Sequence, residues 1–489
     1  MNNKKRKYRS LGENAALNAL RTGLSIIFPL ITYPYAFRIL HATGMGKVSF
    51  ASSIVSYFSL LAGLGISSYA VREGAKVREN RNDFNHFADE IFSINIVSTI
   101  ISYLILFTCV ALVPKFSSYR LLLIISSLTI IIKTLSVDWI NTVYEDFVFI
   151  TIRTIIAEFL ILVLLFLTVK TSEDYYKYAA LSISTDLLVC ISNMIYCRRY
   201  ANIKLTRHLN IRKHIRPILT LFANAVATTI YVNSDTTMLG WMVGDYTAGI
   251  YSLAVRVYTV IKNMLAAIYS VAIPRISYFA GQHDVNSIKA VYSSIISKVL
   301  KILIPASIGL FCISREIVLF MGGQEYIEAT VTLQILSISL IGAIFGGMIT
   351  YCLNIPLGRE KTNMEATILS AMINIGLNVF LIPVLKQNGA ALTTLISEFF
   401  VFFYCISRHQ DLKKYIDVKQ IRNSLWHSLV GAGLIIVIDL LTHAVFKNIY
   451  IIILSTVVLS AFFYFLFLMA VKDNFALEVR KKILFHKKG

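Results

Sequence analysis

The sequence predicts an all-α integral membrane protein of about fourteen transmembrane helices, on three observations. Hydrophobic residues make up 56% of its 489 residues and charged residues only 15%, whereas soluble domains carry about 25% charged residues. Such a chain has too little polar surface to cover a soluble fold. The apolar residues come in blocks of about 20, the length a helix needs to cross a bilayer. Lysine and arginine also crowd into alternate connections. Barrel strands would instead alternate polarity over about ten residues.

In chain order the blocks are 17–40, 48–70, 88–113, 120–138, 147–169, 176–197, 218–239, 248–270, 290–312, 328–354, 364–385, 389–407, 425–446 and 449–471. The basic start KKRKYR leads into a full-length span and a short loop, which suits a retained first helix rather than a removed leader. With the N-terminus inside, the cytoplasmic segments hold 31 Lys and Arg and the outer loops, with Arg120 and Lys177 at the span edges, about 8. This bias puts both termini in the cytoplasm. The net charge of +20 is then mainly an orientation signal and a contact for anionic lipid, not a nucleic-acid footprint. The six cysteines lie in or at the ends of spans with no CxxC pair. They read as small apolar residues, and no metal site or cofactor is expected.

The first and second halves echo each other. "GKVSFA" (46–51) returns as "GIYSLA" (249–254), 203 residues later. At the same offset, Arg21, Ser25, Phe28 and Thr32 match Asn224, Thr228, Tyr231 and Asp235, each set spaced 4, 3 and 4. Asn14 and Asn18 extend the first stripe toward the cytoplasm. Ser49, Ser53 and Ser56 stripe the second span, and Ser252, Arg256, Thr259 and Asn263 the eighth; Arg72 matches Arg275 and Ser67 matches Ser270. Residues at i, i+4 and i+7 share a helix face, and a polar face inside a membrane must meet protein or water. Six spans separate the related ones, so the copies run the same way: a parallel repeat about an axis along the membrane normal. Two six-helix lobes around a central cavity follow, with spans thirteen and fourteen as an appended pair. The lobes are 1–197 and 218–407, joined by a basic cytoplasmic linker at 198–217; residues 408–489 hold a linker, the last two helices and a basic tail. Gly46 and Gly249 are expected to let the chain re-enter the membrane after a short outer loop.

Within the spans, serines and threonines also bond their own helix backbone. Arg21 and Arg256 demand more, because a mid-span charge costs a few kcal/mol. Asp235 is an alternative partner for Arg256. Asp186 and Glu398, 212 residues apart, sit near the middles of the sixth and twelfth spans, and Asn141 and Asn354 echo at 213. A buried carboxylate serves as a proton site or as a packing hydrogen bonder, and the sequence leaves both open. The outer segment SREIVLFMGGQEYIE (314–328) reads as a loop, too short for a polymerase or ligase site. No Asp-x-Asp and no GxxxxGK[ST] P-loop occurs.

From Pro29 to Asn80, "PLITYPYAFRILHATGMGKVSFASSIVSYFSLLAGLGISSYAVREGAKVREN", and again at "GIYSLAVRVY", the chain resembles the O-antigen and capsule (Wzx-type) repeat-unit flippases. These belong to the multidrug/oligosaccharidyl-lipid/polysaccharide exporter superfamily. The resemblance implies two lobes in a V shape and alternating access, without enzyme activity. It implies transport of an undecaprenyl-diphosphate-linked oligosaccharide from the inner to the outer leaflet of a bacterial cytoplasmic membrane. Polysaccharide polymerase and chain-length machinery are the implied partners. Arg21 and Arg256 carry over as cationic cavity residues, with Asn18, Ser25, Asn224, Tyr231 and Asn263 beside them as substrate-binding positions, and Asp235, Asp186 and Glu398 as coupling or structural carboxylates. A cation-coupled drug exporter, a lipid II flippase and a membrane polysaccharide polymerase are the competing readings.

Overall fold

The computed structural model describes residues 11–144, 146–207, 210–409 and 411–485; among them the chain forms helices and no strand. Twelve of these helices are long and apolar enough to cross a membrane. Two of the twelve break midway, α1 (Leu11–Gly63) at His41 with φ 58° and α14 (Glu360–Ser407) at Lys386 with φ 51°. Each arm matches one predicted span, so all fourteen blocks are accounted for.

Contacts divide the chain into two units, after Gly240. The first contains α1, α2 (Ile66–Val77), α3 (Arg81–Leu112), α4 (Arg120–Ser136), α5 (Trp139–Val143), α6 (Phe147–Thr168), α7 (Tyr175–Cys197) and α8 (Ile211–Met242) up to the division. The second contains α9 (Asp245–Ser270), α10 (Ile273–Gly281), α11 (Val285–Cys312), α12 (Ser314–Gly322), α13 (Ala329–Met348), α14, α15 (Val418–Val445), α16 (Ile449–Ala470) and α17 (Asn474–Phe485). Several helices begin on a side-chain cap. Asn80 accepts from the Asn82 amide, Asp284 from Ser287, Asp417 from Gln420 and Asn448 from Tyr450, each satisfying an otherwise orphaned N–H.

In the first unit α1 packs on α3 and α4, and α4 on α7. Toward the cytoplasmic ends predicted from the basic bias, Tyr69, Phe84, Phe87, Ile91, Trp139 and Ile140 form an aromatic-rich core. The sequence assigns the seventh span to the second lobe, yet by contacts α8 joins the first unit. Its start is held by buried His214, whose ring nitrogens meet Tyr69 Oη at 2.8 Å and Glu90 Oε2 at 2.9 Å. Farther along, Thr237 Oγ1 donates to Ser53 Oγ at 2.9 Å. Gly240 lies so close to Phe50 that a Cβ would fall 2.4 Å from the ring. None of these contacts has a sequence spacing that would reveal it.

In the second unit α13 packs along α14, and α11 against α15 of the appended pair. A polar ladder of Asn374, Asn378 and Thr393 joins the two arms of α14. The segment predicted as an outer loop is instead packed helix. Ser314–Gly322 is α12, a 3₁₀ turn follows at Gln324–Tyr326, and Ser314, Glu316 and Tyr326 are buried. Apolar Ile317, Val318, Leu319 and Phe320 make helical docking more favourable than solvation there.

The role expected of Gly46 and Gly249 is corrected. Both are buried inside helices, and the chain turns earlier, at His41 (φ 58°) and Gly244 (φ 133°). These two turns are themselves 203 residues apart, so the repeat extends to the backbone. The glycines serve close packing.

Candidate substrate and coupling site

The best-described part of the predicted cavity lining is α9. Its residues alternate at helical spacing between a packed side (Ser252, Leu253, Tyr258, Leu265) and an open side carrying Arg256, Thr259 and Asn263. A guanidinium, a hydroxyl and an amide on one open face of a membrane-spanning helix cannot be left to hydrocarbon. Such a face meets protein, water or a polar ligand, and the guanidinium offers a planar fork for phosphate or carboxylate oxygens.

Beside this face lies a charged contact whose members sequence spacing could not join. Lys262 Nζ is 2.6 Å from Glu398 Oε1, and Tyr258 Oη donates to the same oxygen at 3.1 Å. The Glu398 side chain is 9% exposed and that of Lys262 33%. Tyr258 and Lys262 are i and i+4 on α9, while Glu398 lies on the second arm of α14. Glu398 therefore accepts from a lysine and a tyrosine, an ion pair that was not among the roles read from the sequence.

Asp186 does not share that environment despite its echo. It lines a cavity of about 370 Å³ inside the first unit, with Ser59, Asn95, Lys133, Asp138 and Trp139 among its walls. Lys133 attracts it electrostatically. Asp138 is held by the buried Arg153, Nη2 to Oδ1 at 2.6 Å. The cavity borders the end of α4, where Val137 takes a left-handed φ of 43°. Lys133 and Arg153 were the overlooked signal, both being basic residues inside predicted spans.

In the seventh span, Thr228 is exposed, Tyr231 half-buried and Asp235 buried. Asp235 belongs to the first unit, where it acts electrostatically on Tyr57; Arg256 belongs to the second. The side chains of Asn14, Asn18, Arg21, Ser25 and Asn224 lie outside the described residues, so their stripes rest on sequence spacing alone. Asn141 and Asn354, the other echo, do play parallel parts. Both are fully buried; Asn141 donates to Asn193, and Asn354 accepts from the ring of His409. His409, just beyond the end of α14, also faces Arg359 at 2.9 Å. Burial and that guanidinium push its pKa down to about 4.

Residues 11–280 match a family described as polysaccharide biosynthesis protein. The chain belongs to that family. Two curated relatives span nearly their whole lengths. A putative O-antigen transporter of Escherichia coli (strain K12) is 21% identical over 398 residues, 80% of this chain and 94% of the relative. One of Shigella dysenteriae is 23% identical over 416 residues, 81% of this chain and 98% of the relative. A probable low-salt glycan biosynthesis flippase, Agl15 of Haloferax volcanii, is 26% identical over 238 residues, 46% of this chain and 48% of the relative. Among solved structures, the lipid II flippase MurJ in an inward closed conformation matches with TM-score 0.75 at 16% identity, over 93% of this chain and 99% of that one. An inward-facing multidrug resistance MATE family transporter of the MOP superfamily matches at 0.55 and 15%, over 80% and 99%. The chain thus shares its fold with solved proteins of unlike substrates, and fold alone does not choose among them.

Proposed function

We propose that the protein is a flippase, not an enzyme. It moves an undecaprenyl-diphosphate-linked oligosaccharide repeat unit from the inner to the outer leaflet of a bacterial cytoplasmic membrane by alternating access, with both termini cytoplasmic. The observation that carries this reading is the open polar face of α9 with Arg256 on it, in a chain whose relatives are named O-antigen transporters. A diphosphate cannot enter hydrocarbon uncompensated. The polyprenyl tail stays in lipid while the head passes along the polar face, where Arg256, Arg21 and neighbouring hydroxyl and amide groups (Asn18, Ser25, Asn224, Tyr231, Asn263) replace its water. The two six-helix lobes, 1–197 and 218–407, open the path alternately to the two sides. If two net negative charges crossed the whole membrane potential, each 100 mV would contribute about 4.6 kcal/mol toward export. Polymerase and chain-length machinery would take the delivered unit. The basic face argues against a drug exporter, whose cationic substrates would want net acid there.

The test is reconstitution in liposomes with a fluorescent undecaprenyl-diphosphate-linked oligosaccharide, scored by its access to a membrane-impermeant quencher or lectin. Protein-dependent movement supports the reading. Movement of cationic drugs but not of the lipid-linked glycan would refute it.

A further inference from the structure

At the inner end of the first unit, on the topology proposed above, a second cavity of about 320 Å³ opens between α3, α4, α7 and the chain just past α7. Phe92, Leu135, Val137, Met194 and Ile203 give it apolar walls, and the exposed Arg198 borders it as well. Those walls are fixed from two sides. Val137 ends α4 in a left-handed turn, φ 43°. Past α7, alternate backbone amides are tied to α3. The Asn202 N–H donates to Asn85 Oδ1 at 3.1 Å, Lys204 N–H to Asp89 Oδ1 at 2.6 Å and Thr206 N–H to Ser93 Oγ at 2.9 Å. Two residues of extended chain advance about 6.6 Å and four helical residues about 6 Å. The two rows therefore stay in step, and the segment is strapped along the helix, closing one side of the cavity at Ile203. Apolar walls offer water few hydrogen-bond partners. Met194 is itself 43% exposed, on one face of α7 with the exposed Ile191 and Ile195, and such an apolar face on a spanning helix meets hydrocarbon. The rim is basic: residues 198–207 carry four Lys and Arg and no acidic residue. Arg199 stacks on the Tyr196 and Tyr200 rings, while Arg198 borders the cavity.

We propose that this cavity is a binding site for one anionic phospholipid of the inner leaflet. An acyl chain enters past Met194 and fills the apolar space, giving its walls the packing partners an empty cavity denies them. The phosphate rests at the rim on Arg198, whose planar fork suits phosphate oxygens. Basic pockets between spans on the cytoplasmic side attract anionic headgroups in this way. The walls come from the third, fourth and sixth predicted spans and the chain that follows, whereas the polar stripes assigned to the substrate lie on the first, second, seventh and eighth. A resident membrane lipid therefore fits the cavity better than the transported glycan lipid does. Once bound, it ties the strap, and with it the chain leading into α8, to α4 and α7. The inference takes only the membrane orientation from the function proposed above.

The experiment is native mass spectrometry of the full-length protein in micelles, titrated with dioleoyl phosphatidylglycerol or dioleoyl phosphatidylcholine. A single phosphatidylglycerol should bind about tenfold or more tighter than later copies and than phosphatidylcholine. Arg198→Gln removes a charge-assisted contact and should weaken that first binding about ten- to a hundredfold. Met194→Trp fills the mouth and should abolish it with the charge unchanged. Ile195→Trp, on the same exposed face but outside the cavity wall, should bind as the wild type does. So should Lys414→Gln, which removes an exposed inner-loop lysine and controls for general basic charge. If Met194→Trp is not monodisperse, Arg198→Gln against Lys414→Gln decides alone. Equal binding of the two lipids by the wild type, equal losses in Arg198→Gln and Lys414→Gln, or unchanged binding by a folded Met194→Trp would each overturn the proposal. Two competitors separate the possible sources of phosphate. Inorganic phosphate that displaces the lipid would make this a free-anion site, and geranyl diphosphate that displaces it at lower concentration would make it a substrate entry site; either result overturns the phospholipid assignment. These measurements need no translocation. A protein that lacks the tight first lipid yet moves the glycan in liposomes would sink this site and leave the flippase reading intact.

Discussion

The appended helix pair is held to the second unit by a buried ion cluster, and Asp473→Asn is the change that measures it. Lys301 on α11 and Asp473, just after α16, approach to 2.7 Å with side chains only 7% and 6% exposed. His427 on α15 adds Nδ1 at 2.9 Å, and the Phe475 amide donates to the same carboxylate at 2.9 Å. Burial alone would raise the pKa of Asp473, but Lys301, the backbone donor and His427 outweigh it and hold the carboxyl below its ordinary 3.8. The group is therefore ionised at neutral pH. Asparagine keeps its volume but strands the Lys301 ammonium, and breaking a buried pair in this way costs about 3–5 kcal/mol. By contrast, Lys298 and Glu478 meet at 2.7 Å with side chains 31% and 56% exposed, so Lys298→Ala should cost less than about 1 kcal/mol. The assay is denaturant-driven unfolding in mixed micelles, with proteolytic release of α17 as a local readout. Asp473→Asn should lower stability several-fold more than Lys298→Ala, and Lys301→Met combined with Asp473→Asn should regain most of the loss. A cost below about 1 kcal/mol, or no recovery in the double variant, would refute the reasoning.

Arg256→Ala should keep normal protein abundance and lose about ten- to a hundredfold in glycan export, since a charge-assisted contact is worth about 1.5–3 kcal/mol. Lost abundance restored by adding Asp235→Ala would instead make Arg256 a structural partner. The His409 pKa, about 4 against 6.5 for the free side chain, means that the unfolded chain binds the extra proton between those values. Stability is full above about pH 6.5 and falls toward pH 4 by up to about 3 kcal/mol; His409→Gln, compared by thermal melts across that range, should flatten this slope. Gly389→Ala places a Cβ 2.4 Å from the Leu381 carbonyl oxygen, whereas Gly433→Ala meets nothing within 4 Å. The first should cost at least about 1–3 kcal/mol and the second nothing measurable, by the same melts.

Much of the fold is legible in the chain because a bilayer leaves few choices. Apolar blocks of span length must become helices that satisfy their own backbone, and the positions of His41 and Lys386, the breaks in α1 and α14, fall between predicted spans for that reason. Of the stripe read as Ser252, Arg256, Thr259 and Asn263, the last three are exposed on α9 but Ser252 is buried on its packed side, because i and i+4 lie about 40° apart around a helix and the edge of a face is set by what packs there. Periodicity does not say which distant face comes opposite. Only the tertiary structure joined Lys262 to Glu398, 136 residues away, or Lys301 to Asp473, 172 away. It alone gave Asp186 a cavity wall and Glu398 a lysine, although the two had looked equivalent. It also turned an apparent outer loop into the packed α12, and put the buried Gly46 and Gly249 inside helices five residues after the turns. Local sequence sets helix, span and face; an ion pair between helices is set by how those helices pack, and a charge inside a membrane is stable only where that packing supplies its partner.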